Sequence, residues 1–115
     1  MKNVFGLLGL AKKAGKISSG TMAARTSVDK GRANLLIISN DIAVRTKEIL
    51  VAACDKRNVP WLVIGNKYEL GLAVGKNCRV AVTVNDPGLA RSVLNNFEDS
   101  MGSELISVGV VQWPK

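Results

Sequence analysis

Val4, Leu7, Leu8 and Ala11 recur at the spacing of one helix face and predict a helix over residues 3–14, closed by Gly15. A short extended piece, Ile17 to Ser19, follows. Gly20-Thr21 then opens a second helix with Thr21 as its N-cap, and Lys30-Gly31 supplies a cation in the last turn and a glycine stop. Leu35-Leu36-Ile37-Ile38 has no polar interruption, which predicts a short strand buried on both faces. Asn40-Asp41 ends that strand and is expected to cap a third helix over about 43–57, whose inner face carries Ile49, Leu50, Ala53 and Cys54. Asn58 and Pro60 stop it. Trp61 to Ile64 is a second apolar strand. A short helix near 67–74 follows, punctuated by Gly71 and Gly75, and Val80 to Val84 is another strand. Asp86-Pro87 opens a last helix, with an N-cap followed by proline at the first helical position, running to about Phe97.

Helix and strand patterns alternate without internal repeat or linker, so the fold class is α/β: a small three-layer α/β/α sandwich. A length of 115 residues fits one domain, assigned to 1–99, with 100–115 as a C-terminal tail of undecided order. Aromatic residues make up 4% of the chain against 47% hydrophobic, so the core must be aliphatic.

Charge changes the picture from fold to partner. The net charge is +7, and the first 32 residues hold seven basic groups against the single acid Asp29. The remaining residues are nearly balanced, with nine basic and eight acidic groups. A polyanionic partner is expected, and the attraction for it should lie in the first third of the chain. Cys54 and Cys78 have no metal-ligand spacing and are expected to be free thiols in a reducing cytoplasm. The apolar stretch from Val4 to Ala11 is short, interrupted by Gly6 and Gly9, and followed by Lys12-Lys13. It is therefore not read as a signal peptide, and no stretch has the length of a membrane span.

Catalytic chemistry finds little support. There is no histidine, no G-x-S-x-G elbow, and no match to a Walker A or dinucleotide-binding glycine pattern. Gly71 and Gly75 are better explained by close packing than by a ligand cradle. The carboxylates lie at caps or beside Lys and Arg, as solvated charge does. No enzyme, cofactor or metal site is expected. The basic first third, by contrast, supplies a mechanism. Lys12, Lys13 and Lys16 surround a glycine turn, and Gly20-Thr21 exposes the unpaired N–H groups of a helix N-terminus, which suit a phosphate. With few aromatics for base stacking, folded RNA read by shape and phosphate is the better match than single strands.

Three segments carry a family resemblance: Gly6-Leu7-Leu8-Gly9-Leu10-Ala11-Lys12-Lys13-Ala14-Gly15-Lys16, Gly20-Thr21, and Ile64-Gly65-Asn66-Lys67-Tyr68-Glu69-Leu70-Gly71 continuing through Leu72-Ala73-Val74-Gly75. In this order they resemble the ribosomal protein L7Ae/L30e superfamily of kink-turn RNA-binding proteins, closest to its bacterial YlxQ-like branch, over roughly residues 3–97. The resemblance implies a mixed, mostly four-stranded sheet and binding of kink-turn or related internal-loop RNA, often in ribosomal particles. It places the start of the second helix at the sheared G·A pairs and the loop after Gly75 near extruded nucleotides. Gly20 and Thr21 match the family's Gly-Thr opening. The Asn, Glu and Lys that follow in the family are here Met22, Ala23 and Thr26, with Arg25 beside the last. Asn40 stands where the family usually has Glu, and Lys76-Asn77-Cys78-Arg79 replaces a more apolar segment.

The expected protein is thus a non-catalytic, cytoplasmic, monomeric RNA-binding module, with ribosomal or kink-turn RNA as partner and ribosomal or RNA-processing proteins as further partners. Its RNA-binding residues are expected to be Lys12, Lys13, Lys16, Gly20, Thr21, Arg25, Asn40, Lys76 and Arg79. The alternative is a protein-interaction module on the same scaffold, with Met22, Ala23 and Val74 as an apolar contact patch.

Overall fold

The computed structural model describes residues 2–101, and side chains from 4 to 97. The elements, in order, are α1 (Lys2–Lys13), β1 (Ile17–Ser19), α2 (Thr21–Asp29), β2 (Leu35–Ile38), α3 (Val44–Arg57), β3 (Trp61–Val63), α4 (Lys67–Ala73), β4 (Ala81–Val84) and α5 (Pro87–Met101). Each predicted element is present. The last helix extends past Phe97 to Met101, so the expected domain limit at 99 falls inside α5, and the expected tail beyond residue 101 lies outside the described residues.

The sheet is mixed, with strand order β1-β4-β2-β3. β4 runs antiparallel to both β1 and β2, and β3 runs parallel to β2. β2 is buried at all four positions because each face of the sheet is covered. Leu35 and Ile37 point into a core built with α1, α4 and α5, through Leu8, Leu70, Val93 and Phe97 among others. Leu36 and Ile38 point into a second core under α2 and α3, with Ala24, Val28, Leu50, Ala53 and Cys54. The strand's alternation is therefore real but invisible in hydropathy, since both sides need apolar residues. Burial pushes the Cys54 thiol up to about 12, with the neighbouring Asp55 charge adding to the effect, so it stays protonated at neutral pH. Cys54 and Cys78 are both free, the first buried and the second exposed.

Two predicted caps are corrected. Thr21 does not cap α2: Gly20 does, at φ 102° and ψ 153°, with no side chain to bond the first turn. Asn40-Asp41 does not cap α3, whose N-cap is Ala43. Asp41 reaches across to α4 instead, its Oδ1 accepting from the Lys67 N–H at 3.0 Å. There it joins a capping box in which Asn66 Oδ1 accepts from the Tyr68 and Glu69 amides at 3.0 and 2.9 Å, and Glu69 Oε1 accepts from the Asn66 amide at 3.0 Å. A helix of seven residues depends heavily on such caps. Asn66→Ala should cost about 1 kcal/mol in urea denaturation; a change within error would mean that Asp41 alone holds the helix start.

The chain closes its other turns with residues able to adopt positive φ. Asn58 ends α3 in the left-handed region at φ 56°. At the start of α5, Asp86 Oδ2 accepts from the Leu89 amide at 2.9 Å, and Pro87 takes the first helical position as predicted.

Candidate nucleic-acid interface

The strand directions sort the loops into two poles of the molecule. The near pole holds the chain leaving β1 (Gly20), β2 (Ser39-Asn40) and β3 (Ile64 to Asn66), together with the loop entering β4 (75–80). Backbone bonds tie these loops to one another. The Gly20 amide donates to Ala81 O at 2.9 Å, Ser39 N to Val80 O at 3.0 Å, Asn40 N to Gly65 O at 2.7 Å, and Arg79 N to Lys67 O at 2.9 Å.

Helices α2 and α3 both begin at this pole, and neither has a side-chain cap. Among the described residues no acceptor meets the amides of Thr21, Met22 and Ala23, or those of Val44, Arg45 and Thr46. At α4 the equivalent donors are fully occupied by Asn66 and Asp41. The pole therefore offers two helix N-termini with free donors and partial positive charge, the arrangement that receives an anion.

Gly20 is what allows this arrangement at α2. Its backbone lies in a region that only glycine occupies readily, although a Cβ would meet nothing closer than Arg79 Nε at 3.9 Å. That same distance shows that Arg79 lies against the helix opening. Arg79 Nη1 donates to the Cys78 carbonyl at 2.7 Å, while its Nε is buried without a partner. The guanidinium is thus tethered beside the Gly20 turn with donor capacity unspent. Gly20→Ala should cost about 1–3 kcal/mol through backbone strain alone, read as a lower urea midpoint with an unchanged slope. A neutral result would show that the turn relaxes.

Of the expected site residues, the structure gathers Gly20, Thr21, Asn40 and Arg79 at the near pole, with Lys76 exposed in the 75–80 loop and Arg25 one turn into α2. Arg25 is partly engaged, its Nε lying 3.4 Å from Asp29 Oδ2 on the helix surface. Lys12, Lys13 and Lys16 are not brought to this pole. They end α1 and enter β1 at the opposite end, where the Asn85 amide donates to the Lys16 carbonyl at 2.7 Å. Lys16 and Gly20 are four positions apart, but the chain between them is extended, which places them roughly 13 Å apart.

The alternative apolar patch is also redrawn. Val74 is fully buried in the core beneath α4 and cannot contribute to a surface. Met22 is 84% exposed and borders a groove of about 430 Å3 between α2 and α3, with Thr26, Thr46 and Ile49. Gly71 does pack closely, as expected: a Cβ there would lie 2.6 Å from Cys78 Cα. Gly75 meets nothing within 4 Å and is explained by its φ of 72° instead. The uncapped start of α3 was missed in the sequence because Asn40-Asp41 precedes it and looks like its cap.

Among the described residues no cluster of acidic or cysteine side chains could hold a metal ion, and no helix is long and apolar enough to cross a membrane. Comparison with known proteins agrees with this architecture. The chain is 32% identical over 91 residues to the RNA-binding protein YlxQ of Bacillus subtilis (strain 168), a match covering 79% of this chain and 91% of that protein. A solved structure of a protein with unknown function from Bacillus halodurans C superposes with a TM-score of 0.77 at 35% identity, covering 80% of this chain and 93% of the other. The fold is shared with the Giardia lamblia 15.5kD RNA binding protein, at a TM-score of 0.69 and 24% identity, covering 83% and 84% of the two chains. Residues 2–94 match the profile of the Ribosomal protein L7Ae/L30e/S12e/Gadd45 family, to which this chain belongs.

Proposed function

We propose that this chain is a non-catalytic, ribosome-associated RNA-binding protein of the cytoplasm that recognises a kink-turn-like or other structured RNA element through the near pole. The observation that carries this reading is the Gly20 turn, where an uncapped helix N-terminus meets the tethered guanidinium of Arg79. The YlxQ similarity supports RNA as the partner class. The amides of Thr21 and Met22 and the Arg79 side chain contact backbone phosphates, Lys76 adds charge from the neighbouring loop, and Asn40 offers a donor and an acceptor to a base or 2′-hydroxyl. Met22 and Ala23 present no polar side chain, so phosphate and shape dominate over base reading.

The test is a titration with three RNAs over a salt series: a kink-turn hairpin, the same hairpin without its G·A pairs, and total ribosomal RNA. All three should bind at low salt, with the kink-turn preferred by a small factor and the log–log slope reporting the phosphates neutralised, at roughly −0.7 to −0.9 each. Absence of binding at low salt would overturn the proposal. The exposed Met22 and the groove between α2 and α3 favour a second reading, in which the same face takes a protein partner. That reading gains only if RNA binding fails.

A further inference from the structure

The pole opposite Gly20 carries charge that the reading above does not use. Lys12, Lys13, Lys16, Lys30 and Arg32 are all exposed there, and none pairs with a carboxylate among the described residues. The acids nearby are already engaged. Asp29 lies beside Arg25, and its carbonyl accepts from Arg57 Nη2, while Asp86 holds the Leu89 amide. Cations at helix C-termini are ordinary dipole complements, which accounts for Lys12 and Lys13 in the last turn of α1 and Lys30 at the end of α2. It does not account for Lys16 and Arg32, which lie outside every helix.

Lys16 and Arg32 share a cleft of about 460 Å3 with Ser18 and Asn85. Its floor is fixed. Asn85 Nδ2 donates to Ser18 Oγ at 2.9 Å, Thr83 Oγ1 donates to Asn85 Oδ1 at 3.0 Å, and Ser18 Oγ lies 2.6 Å from Ser27 Oγ. A second cleft of about 600 Å3 shares Ser18 and Arg32 with the first and runs along β1 to Gly20, Thr21 and Met22. The two form one track between the poles.

β1 is an edge strand, and its register leaves that edge open. The bonds from Gly20 N to Ala81 O and from Asn85 N to Lys16 O turn the even-numbered residues toward β4. Ile17 and Ser19 therefore direct their N–H and C=O groups outward, where no described residue bonds them. The track thus has backbone donors along its side, hydroxyls in its floor and unpaired cations at its far end.

We infer that the far pole is a second RNA-backbone surface, continuous with the first along the β1 edge, so that one RNA lies across both poles with a flanking segment held by Lys16 and Arg32. This rests on the near pole binding RNA as proposed above, but its test is separable. The two RNAs are a kink-turn hairpin and the same hairpin extended by one helical turn of duplex. The unmodified protein should bind the extended RNA more tightly than the hairpin, with a salt slope steeper by about 2. That slope corresponds to a further roughly 16-fold loss for each fourfold rise in salt. K16E/R32E should remove this advantage and leave the thermal midpoint unchanged, with a much smaller loss of hairpin affinity, and K16Q/R32Q should remove most of it.

An equal affinity for the two RNAs, or an advantage that persists in K16E/R32E, overturns the inference. A hairpin that fails to bind while the extended RNA binds through Lys16 and Arg32 would instead overturn the near-pole assignment and leave the second surface standing. Binding of neither RNA at low salt sinks both.

Discussion

Gly71→Ala should destabilise the protein by about 2–3 kcal/mol and weaken RNA binding beyond the loss of stability. The added Cβ would lie 2.6 Å from Cys78 Cα, 2.8 Å from its N and 2.9 Å from its carbonyl carbon. All three are backbone atoms, so no flexible side-chain tip can give way. The loop is pinned on both sides of this contact: Lys76 N donates to the Gly71 carbonyl at 2.8 Å, and Arg79 N donates to Lys67 O at 2.9 Å. Moving Cys78 outward strains both bonds and shifts Arg79 away from the Gly20 turn. Urea denaturation reads the first effect, and titration with structured RNA under native conditions reads the second. Gly75→Asn provides the contrast. Its site is open and needs only a positive φ of about 72°, which Asn tolerates, so the cost should stay below about 1 kcal/mol. If G71A were as stable as G75N, the close approach would not be what positions the loop.

The difference between these two glycines shows where sequence stops being informative. Both stand near the end of the same short helix, and spacing alone assigned them one role. Only the return of residues 76–79 across α4 separates a packing contact from a conformational requirement. Asp41 is a similar case. Following a strand and preceding a helix, it has the chemistry of a local cap, yet its partner is Lys67, 26 residues away. The local signals that held were those with no long-range competitor: the Asp86-Pro87 helix start and Asn58 at a helix end.

Charge was legible in amount and misleading in place. Closeness along the chain grouped Lys16 with Gly20, although the piece between them reads as extended. In a strand four positions span the sheet, so the basic first third divides between two poles. The near pole then draws its guanidinium from Arg79, 59 positions further on, through the antiparallel pairing of β1 with β4. Val74 moved for a reason already present in the sequence: it is one helical turn from Leu70, and both face the core. Leu72, between them, points away from the core and is 78% exposed.

The variant M22N/A23E/T26K should add discrimination between bases to the phosphate contacts proposed for the near pole. Met22 and Ala23 are exposed and Thr26 is half-buried at the rim of the α2–α3 groove, so the three substitutions ask little of the core. Ala23 is the third residue of α2, where a glutamate is favoured by the helix dipole. In a capping box it would be drawn back to the Gly20 amide, but that amide already donates to Ala81 O at 2.9 Å. The new carboxylate therefore remains available to accept from a base amino group, next to the amide introduced at position 22. Each well-formed base contact is worth about 1–3 kcal/mol of discrimination, so the preference for a kink-turn hairpin over its counterpart without G·A pairs should rise by roughly 10–100-fold. The cation introduced at position 26 offsets the new carboxylate in net charge. Affinity for total ribosomal RNA should accordingly change little while the preference between the two hairpins grows. If affinities for all three RNAs move together, the start of α2 does not face the bases, and the Gly20 turn contacts backbone alone.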